Sequence, residues 1–227
     1  MTLTVHHLEN SRSQRVLFLL EELGVPYEVR RYRRNPRTML APAELRAVHP
    51  LGKSPLVTDG ERTLAETGAI MEYLASHHGD GTLMGAPGSK ERERVTYYLH
   101  YAEGSLMPLM LLQLVVSRLP QSPPKPLRPL LRPLLRGIVG GVDRQFLGPQ
   151  LDLHLNFLDR ELEGRQFFAG DTFTVADAQM SFPIEIAGLR LKALGAARPN
   201  LQGWLDRLRV RPAYARALER GGPYKIG

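Results

Sequence analysis

The chain has 227 residues, 43% hydrophobic and 23% charged, enough to bury a sizeable core and ordinary for a globular protein. It contains no cysteine, which excludes a disulfide framework, thiolate metal sites and any cysteine nucleophile. The net charge of +7 is uneven: ten basic residues face ten acidic ones through Asp80, and twenty face thirteen from Gly81 onward.

Between Glu103 and Asp143 there is no acid, whereas Arg118, Lys125, Arg128, Arg132 and Arg136 are present. Such a stretch attracts anions. Its cations alternate with proline and leucine and few aromatics, so no sequence-specific nucleic-acid interface is expected. The best apolar run, Leu106 to Val116, is too short to span a bilayer and contains Pro108, so no membrane span is expected. The opening MTLTVHHLEN lacks the basic-then-apolar order of a signal peptide, which makes a cytoplasmic protein the expectation.

In chain order, Thr2 to Val5 alternates polar and apolar residues as a short strand does. Asn10-Ser11-Arg12-Ser13 groups residues that favour a helix N-cap, and Val16, Leu19, Leu20 and Leu23 follow at the spacing of an amphipathic helix. Gly24 and Pro26 stop that helix, and Tyr27 to Tyr32 reads as a second strand. After a loop carrying Arg33, Arg34 and Arg37 comes a weak helix around Pro42 to Ala47. Ser54 to Thr58 and Arg62 to Ala65 read as strands joined by the turn Asp59-Gly60. A helix from Glu66 to His77 completes a βαβ-αββα order, that of a thioredoxin-like domain over residues 1–80.

Residues 81–90 are rich in glycine, proline and polar residues and read as a linker. Everything beyond, residues 91–227, reads as helical: Arg92 to Val116, Gln150 to Leu162, Thr174 to Leu194 and Leu201 to Val210, with an Arg/Gly-rich tail. Pro120 to Gly141 holds six prolines and an LRPLLRPLLRG repeat, which predicts a loop or short broken turns. An α/β domain followed by an all-α domain is the expected architecture.

Four segments carry a family resemblance: Asn10 to Val16, HPLGKSPLV from His49 to Val57, LAETGAI from Leu64 to Ile70, and FFAGDTFTVADAQM from Phe167 to Met180. In this order and spacing the chain resembles the glutathione transferase superfamily, of the serine type, over nearly its whole length. The resemblance implies a cis peptide before Pro55, with the backbone of Ser54 facing the cysteinyl part of glutathione. It implies that Glu66 and Thr67, where a strand gives way to a helix N-terminus suited to a carboxylate, hold the γ-glutamyl group. Thr67 stands where many relatives have Ser, which keeps the hydroxyl. Lys53, and on a weaker footing His49, would reach the glycyl carboxylate. Thr174 and Asp177 have the spacing of a capping box and are assigned to stability, with no catalytic part.

Chemistry of this kind needs glutathione as a thiolate, and at an unperturbed pKa of about 8.5 only ~3% would be ionised at neutral pH. Lowering that pKa by about two units takes roughly 2.7 kcal/mol. A hydroxyl hydrogen bond to the anion supplies roughly 1.5–3 kcal/mol and a helix N-terminus about 0.3–1 more. No general base is required. Ser11 is the first candidate for the hydroxyl, with Asn10 and Ser13 as alternatives; no tyrosine occurs before Tyr27, which argues against a tyrosine-type mechanism.

Without cysteine the chain cannot run thiol exchange through a mixed disulfide, while conjugation, peroxide reduction and isomerisation stay open. The second substrate is expected to be an apolar electrophile on the first long helix of the all-α domain, with Tyr97, Tyr98, Tyr101 and Leu109 as candidate walls and Trp204 in the core. No metal is implied. The competing readings are a non-catalytic interaction or regulatory protein on the same fold, and a glutathione-dependent isomerase or dehalogenase. A homodimer is the family expectation.

Overall fold

The computed structural model describes residues 2–36, 38, 40–222 and 224; Arg37 of the expected Arg-rich loop lies outside the described residues. The N-terminal part forms a four-stranded mixed sheet of order β2-β1-β3-β4. β1 (Leu3–Leu8) and β2 (Glu28–Tyr32) run parallel and are joined by α1 (Ser13–Leu23). β3 (Leu56–Asp59) returns antiparallel to β1 with His6 opposite Leu56, and β4 (Arg62–Ala65) pairs with β3 with Ala65 opposite Leu56. A four-residue α2 (Leu45–Val48) and α3 (Thr67–His77) complete the thioredoxin-like unit.

β1 is longer than its alternating start suggested. His6 and His7 continue the strand and are buried, each with a ring partner: His6 Nδ1 meets the Tyr32 hydroxyl at 2.9 Å and His7 Nδ1 meets Ser13 Oγ at 2.9 Å. A buried imidazole is tolerated when its nitrogens are hydrogen-bonded. α1 buries Ser13 to Leu20 without interruption, because it is enclosed by β1, α3 and two helices of the all-α domain.

The all-α part begins with α4 (Lys90–Tyr101), a π-helical turn (Ala102–Leu106) and α5 (Met107–Arg118). Together with a 3-10 turn (Leu119–Gln121) these form one 32-residue helical run, Lys90–Gln121. By length and composition alone this run could cross a membrane. Its inner face, with Val95, Tyr98, Leu99, Leu106, Met107 and Met110, belongs to the core, while two-thirds of its most apolar window does not.

The antiparallel return is α6 (Arg128–Val142), a second π turn (Asp143–Leu147) and α7 (Gly148–Glu161). The expectation of broken turns over Pro120 to Gly141 is therefore corrected: most of the segment is helix. Of its six prolines only Pro133 lies inside α6; Pro129 occupies the first turn, whose N–H groups have no helical partner in any case, and the other four precede the helix.

α8 (Val175–Leu189) is the central helix and is almost wholly buried. It stops five residues short of the expected Leu194. α9 (Pro199–Arg209) and α10 (Pro212–Gly221) close the fold, and α10 is the segment that sequence showed only as an Arg/Gly-rich tail. The Asp177 carboxylate is buried and accepts four hydrogen bonds, from the N–H of Phe168 and Thr174, the Thr174 hydroxyl and the Trp204 indole. It closes the capping box of α8 and fixes Trp204 in the core. Desolvation raises its pKa, and those four donors oppose the rise.

Candidate functional site

The sheet topology brings the expected site residues to one edge. β1 ends at Leu8, β3 starts at Leu56 and β4 ends at Ala65, all at the same end of the sheet because β3 runs antiparallel to both neighbours. Ser11 follows β1, Lys53 and Ser54 precede β3, and Glu66 and Thr67 follow β4. The Ser54–Pro55 peptide is cis.

Direct bonds tie these loops together. The N–H of Leu8 donates both to Ser13 Oγ at 3.2 Å and to Ser54 Oγ at 3.3 Å, and Ser54 Oγ donates to the carbonyl of His6 at 3.2 Å. Ser13 Oγ lies 2.8 Å from Ser11 Oγ. A continuous chain thus runs from Ser54 through Leu8 and Ser13 to Ser11.

Ser11 and Ser13 are both buried, and the N-cap position of α1 belongs to Arg12, which makes no side-chain cap among the described residues. Ser11 Oγ instead accepts the N–H of Ser13 at 3.2 Å, so a residue one step before the cap satisfies one orphan donor of the first turn. Ser13, an alternative for the hydroxyl, is anchored inward by His7. Burial, and then the nearby Arg31, lowers the His7 pKa to about 4; a hydrogen bond to the Gly221 backbone opposes this. The ring is neutral at neutral pH. Ser13 Oγ also donates to the carbonyl of Leu8 at 3.3 Å. Asn10, the other alternative, sits at φ 53, and its carbonyl accepts from Arg34 at 3.3 Å.

Glu66 adopts φ 68 and ψ 123 at the start of α3. For a residue with a β-carbon this is a sparsely populated conformation costing on the order of 1–3 kcal/mol, the kind that recurs at ligand sites. Neither Glu66 nor the exposed Lys53 forms a side-chain hydrogen bond or ion pair among the described residues. Thr67 is buried at the first turn of α3.

A clasp that the sequence reading missed joins this edge to the all-α domain. Arg15 on α1 is fully buried; its guanidinium bonds to the Glu103 carboxylate in the π turn and to the Gln179 carbonyl at 2.6 Å. Arg12 reaches the same carboxylate at 2.9 Å. Burial lowers the Arg15 pKa to about 10, and Glu103 is the main opposing influence. The available signal was a charge in the middle of an otherwise apolar helix stripe, which requires a buried counterion. Beyond the clasp α5 carries Leu111 and Val115, both exposed, with Arg118 one turn further. Arg118 lies close enough to Arg34 to lower its pKa, second to burial.

Among the candidate walls, Tyr98 is fully buried and its hydroxyl donates to Glu161 at 3.0 Å, so it is core. Tyr101 is buried and pairs with His154 at 2.5 Å, Leu109 is partly buried against the core, and only Tyr97 is exposed. Trp204 is core, as expected. Among the described residues no group of three or more His, Asp or Glu comes together as a metal site.

A thioredoxin-like sheet whose cis-Pro edge meets an all-helical domain defines the glutathione S-transferase architecture. Residues 11–77 match the family model of the glutathione S-transferase N-terminal domain and residues 147–212 that of the C-terminal domain. The chain is 35% identical to glutathione S-transferase 3 of Schizosaccharomyces pombe, covering 96% of this chain and 87% of that one. It is 30% identical to glutathione S-transferase 1 of Saccharomyces cerevisiae, covering 95% and 94%. A crystal structure of a glutathione S-transferase from Actinobacillus pleuropneumoniae superimposes with a TM-score of 0.80 at 30% identity, covering 99% of this chain and 95% of that one. The chain belongs to the glutathione S-transferase superfamily and is an enzyme of that class.

Proposed function

We propose that the protein binds glutathione at this sheet edge, holds its sulfur as a thiolate beside Ser11 and delivers it to an apolar electrophile lying along α5. Lys53 takes the glycyl carboxylate, the Ser54 backbone pairs with the cysteinyl unit, and Glu66 and Thr67 take the γ-glutamyl group. The observation that carries this reading is the hydrogen-bonded chain from Ser54 to Ser11, which locks the peptide-binding edge and the candidate sulfur contact into one rigid unit.

The Ser11 hydroxyl, which pairs with Ser13 Oγ, turns to the sulfur. The N-terminus of α1 adds its partial positive charge. The second substrate meets the sulfur at the exposed apolar side chains Leu111 and Val115, and glutathione-dependent peroxide reduction would use the same thiolate. The reading divides the chain at residues 1–80 and 91–227, and takes the active form to be a cytoplasmic homodimer.

Calorimetry of glutathione binding to wild type and Ser11→Ala, in two buffers of different ionisation enthalpy, tests the assignment. Binding by both with proton release lost only in the variant is expected. Unchanged release would move the role to Asn10 or Ser13. No binding by wild type would sink the transferase mechanism for this site.

A further inference from the structure

The apolar line on α5 ends in a cation. Leu111, Val115 and Arg118 follow one another at spacings of four and three, so they share one side of the helix, and all three are exposed. Gln113, Val116 and Ser117, on the opposite side, line a crevice against α6, so the line looks away from that helix. It looks toward the loop after β2: burial, and then the charge of Arg118, lowers the pKa of Arg34 there. Arg34 is half-buried, and its guanidinium donates at 3.3 Å to the carbonyl of Asn10, the residue before Ser11. Two cations, one from each domain, therefore stand together beside the candidate sulfur contact.

Like charges brought close repel unless an anion offsets them. Arg118 forms no side-chain hydrogen bond or ion pair among the described residues, and the chain between Glu103 and Asp143 contains no acid. The acids at either end of this cleft are already engaged: Glu103 by Arg12 and Arg15, and Glu9 by Arg33 at 3.4 Å. A guanidinium at the end of an apolar line suits an organic anion, whose body covers the line while its carboxylate, sulfonate or phosphate meets the fork. At the helical rise Arg118 lies about 10 Å past Leu111, so a flat body on the two apolar side chains presents a charged substituent to it.

We propose that the preferred electrophile carries an anionic group remote from its reacting carbon, and that Arg118, with Arg34 beside it, selects that group. This rests on the proposed thiolate chemistry at Ser11. The glutathione sulfur, its proton already released to solvent, forms the new bond to carbon, and the leaving group departs with its bonding pair. The arginines bind and take no part in that exchange.

Two aryl chlorides test this: the neutral 1-chloro-2,4-dinitrobenzene, and 4-chloro-3,5-dinitrobenzoate, with a carboxylate opposite the reacting carbon. In both, sulfur displaces chloride. Dividing kcat/KM by the rate constant of the uncatalysed reaction with glutathione removes the difference in intrinsic reactivity. Wild type is expected to favour the benzoate at least about tenfold, the factor of one charge-assisted hydrogen bond. Arg118→Gln should abolish most of this preference through a higher KM for the benzoate, Arg118→Lys should restore part of it, and added salt should erode it. Arg118 is exposed at the end of α5, so the variants are expected to fold. Turnover of the neutral chloride without preference for the benzoate, or a preference that survives Arg118→Gln, would overturn the proposal and leave the transferase reading intact. Turnover of neither chloride by wild type would fell the transferase reading itself, and the proposal with it.

Discussion

Replacing Glu103 by Gln keeps the shape of the π turn and removes the charge that two arginines share. Arg15 is fully buried, and its other hydrogen bond is to the Gln179 carbonyl, so the variant leaves a guanidinium in the interior with a neutral amide beside it. Breaking a buried pair by removing one partner costs about 3–5 kcal/mol. The Glu103 side chain is 24% exposed, so water can enter where the carboxylate stood, which brings the expected loss to about 2–3 kcal/mol. Arg12 is more exposed, at 34%, and adds at most about 1 kcal/mol. For a chain of this size each kcal/mol moves the melting midpoint by about 2–4 °C, so Glu103→Gln should melt roughly 4–16 °C below wild type. Differential scanning calorimetry and urea unfolding read this directly. Replacing both members, Arg15→Met with Glu103→Leu, should recover most of the loss, because no charge is then left buried. A Glu103→Gln midpoint within about 1 °C of wild type would refute the argument that this carboxylate compensates Arg15.

Asp177→Ala leaves the Trp204 indole and the N–H groups of Phe168 and Thr174 without their acceptor, so a loss of about 3–5 kcal/mol or failure to accumulate soluble protein is expected, measured by urea unfolding. His7 titrates near 4 in the folded chain against 6.5 in the unfolded one, so its contribution is fully present above pH 6.5 and is lost as pH falls toward 4. That amounts to about 3 kcal/mol, and the wild-type stability profile should fall over this window relative to a flatter His7→Gln profile; parallel profiles would refute the assignment.

Much of the fold could be read because its local signals agree with the tertiary structure: the βαβ order, the Asp59-Gly60 turn and the long helices each follow their own periodicity. The failures have specific physical causes. Taken together, the prolines between Pro120 and Gly141 suggest broken turns, whereas a helix suffers only from those past its first turn, and Pro133 alone qualifies. The alternation that marks β1 stops at Val5 because two histidines follow, and nothing local shows that Tyr32 and Ser13 supply their partners. The all-α unit hid α10, whose buried Ala213, Tyr214 and Ala217 have helical spacing but are outnumbered by arginine and glycine. At the site, the family resemblance singles out Ser11, Lys53, Ser54, Glu66 and Thr67, and the sheet topology brings them to one edge. The pairing of Arg15 with Glu103 spans 88 residues and has no local trace beyond a charge in an apolar stripe.

The bifurcated N–H of Leu8 has a bearing on how this edge tolerates change. Two serines from distant parts of the chain accept the same proton, Ser13 at 3.2 Å and Ser54 at 3.3 Å. If either is lost, the donor can settle fully on the other, so the Leu8 N–H stays satisfied in each single variant, although loss of Ser13 also removes the partner of the buried His7 ring. Losing both strands a buried donor, and the penalty then exceeds the sum of the two. The Leu8 N–H is therefore insured against one loss and exposed by two.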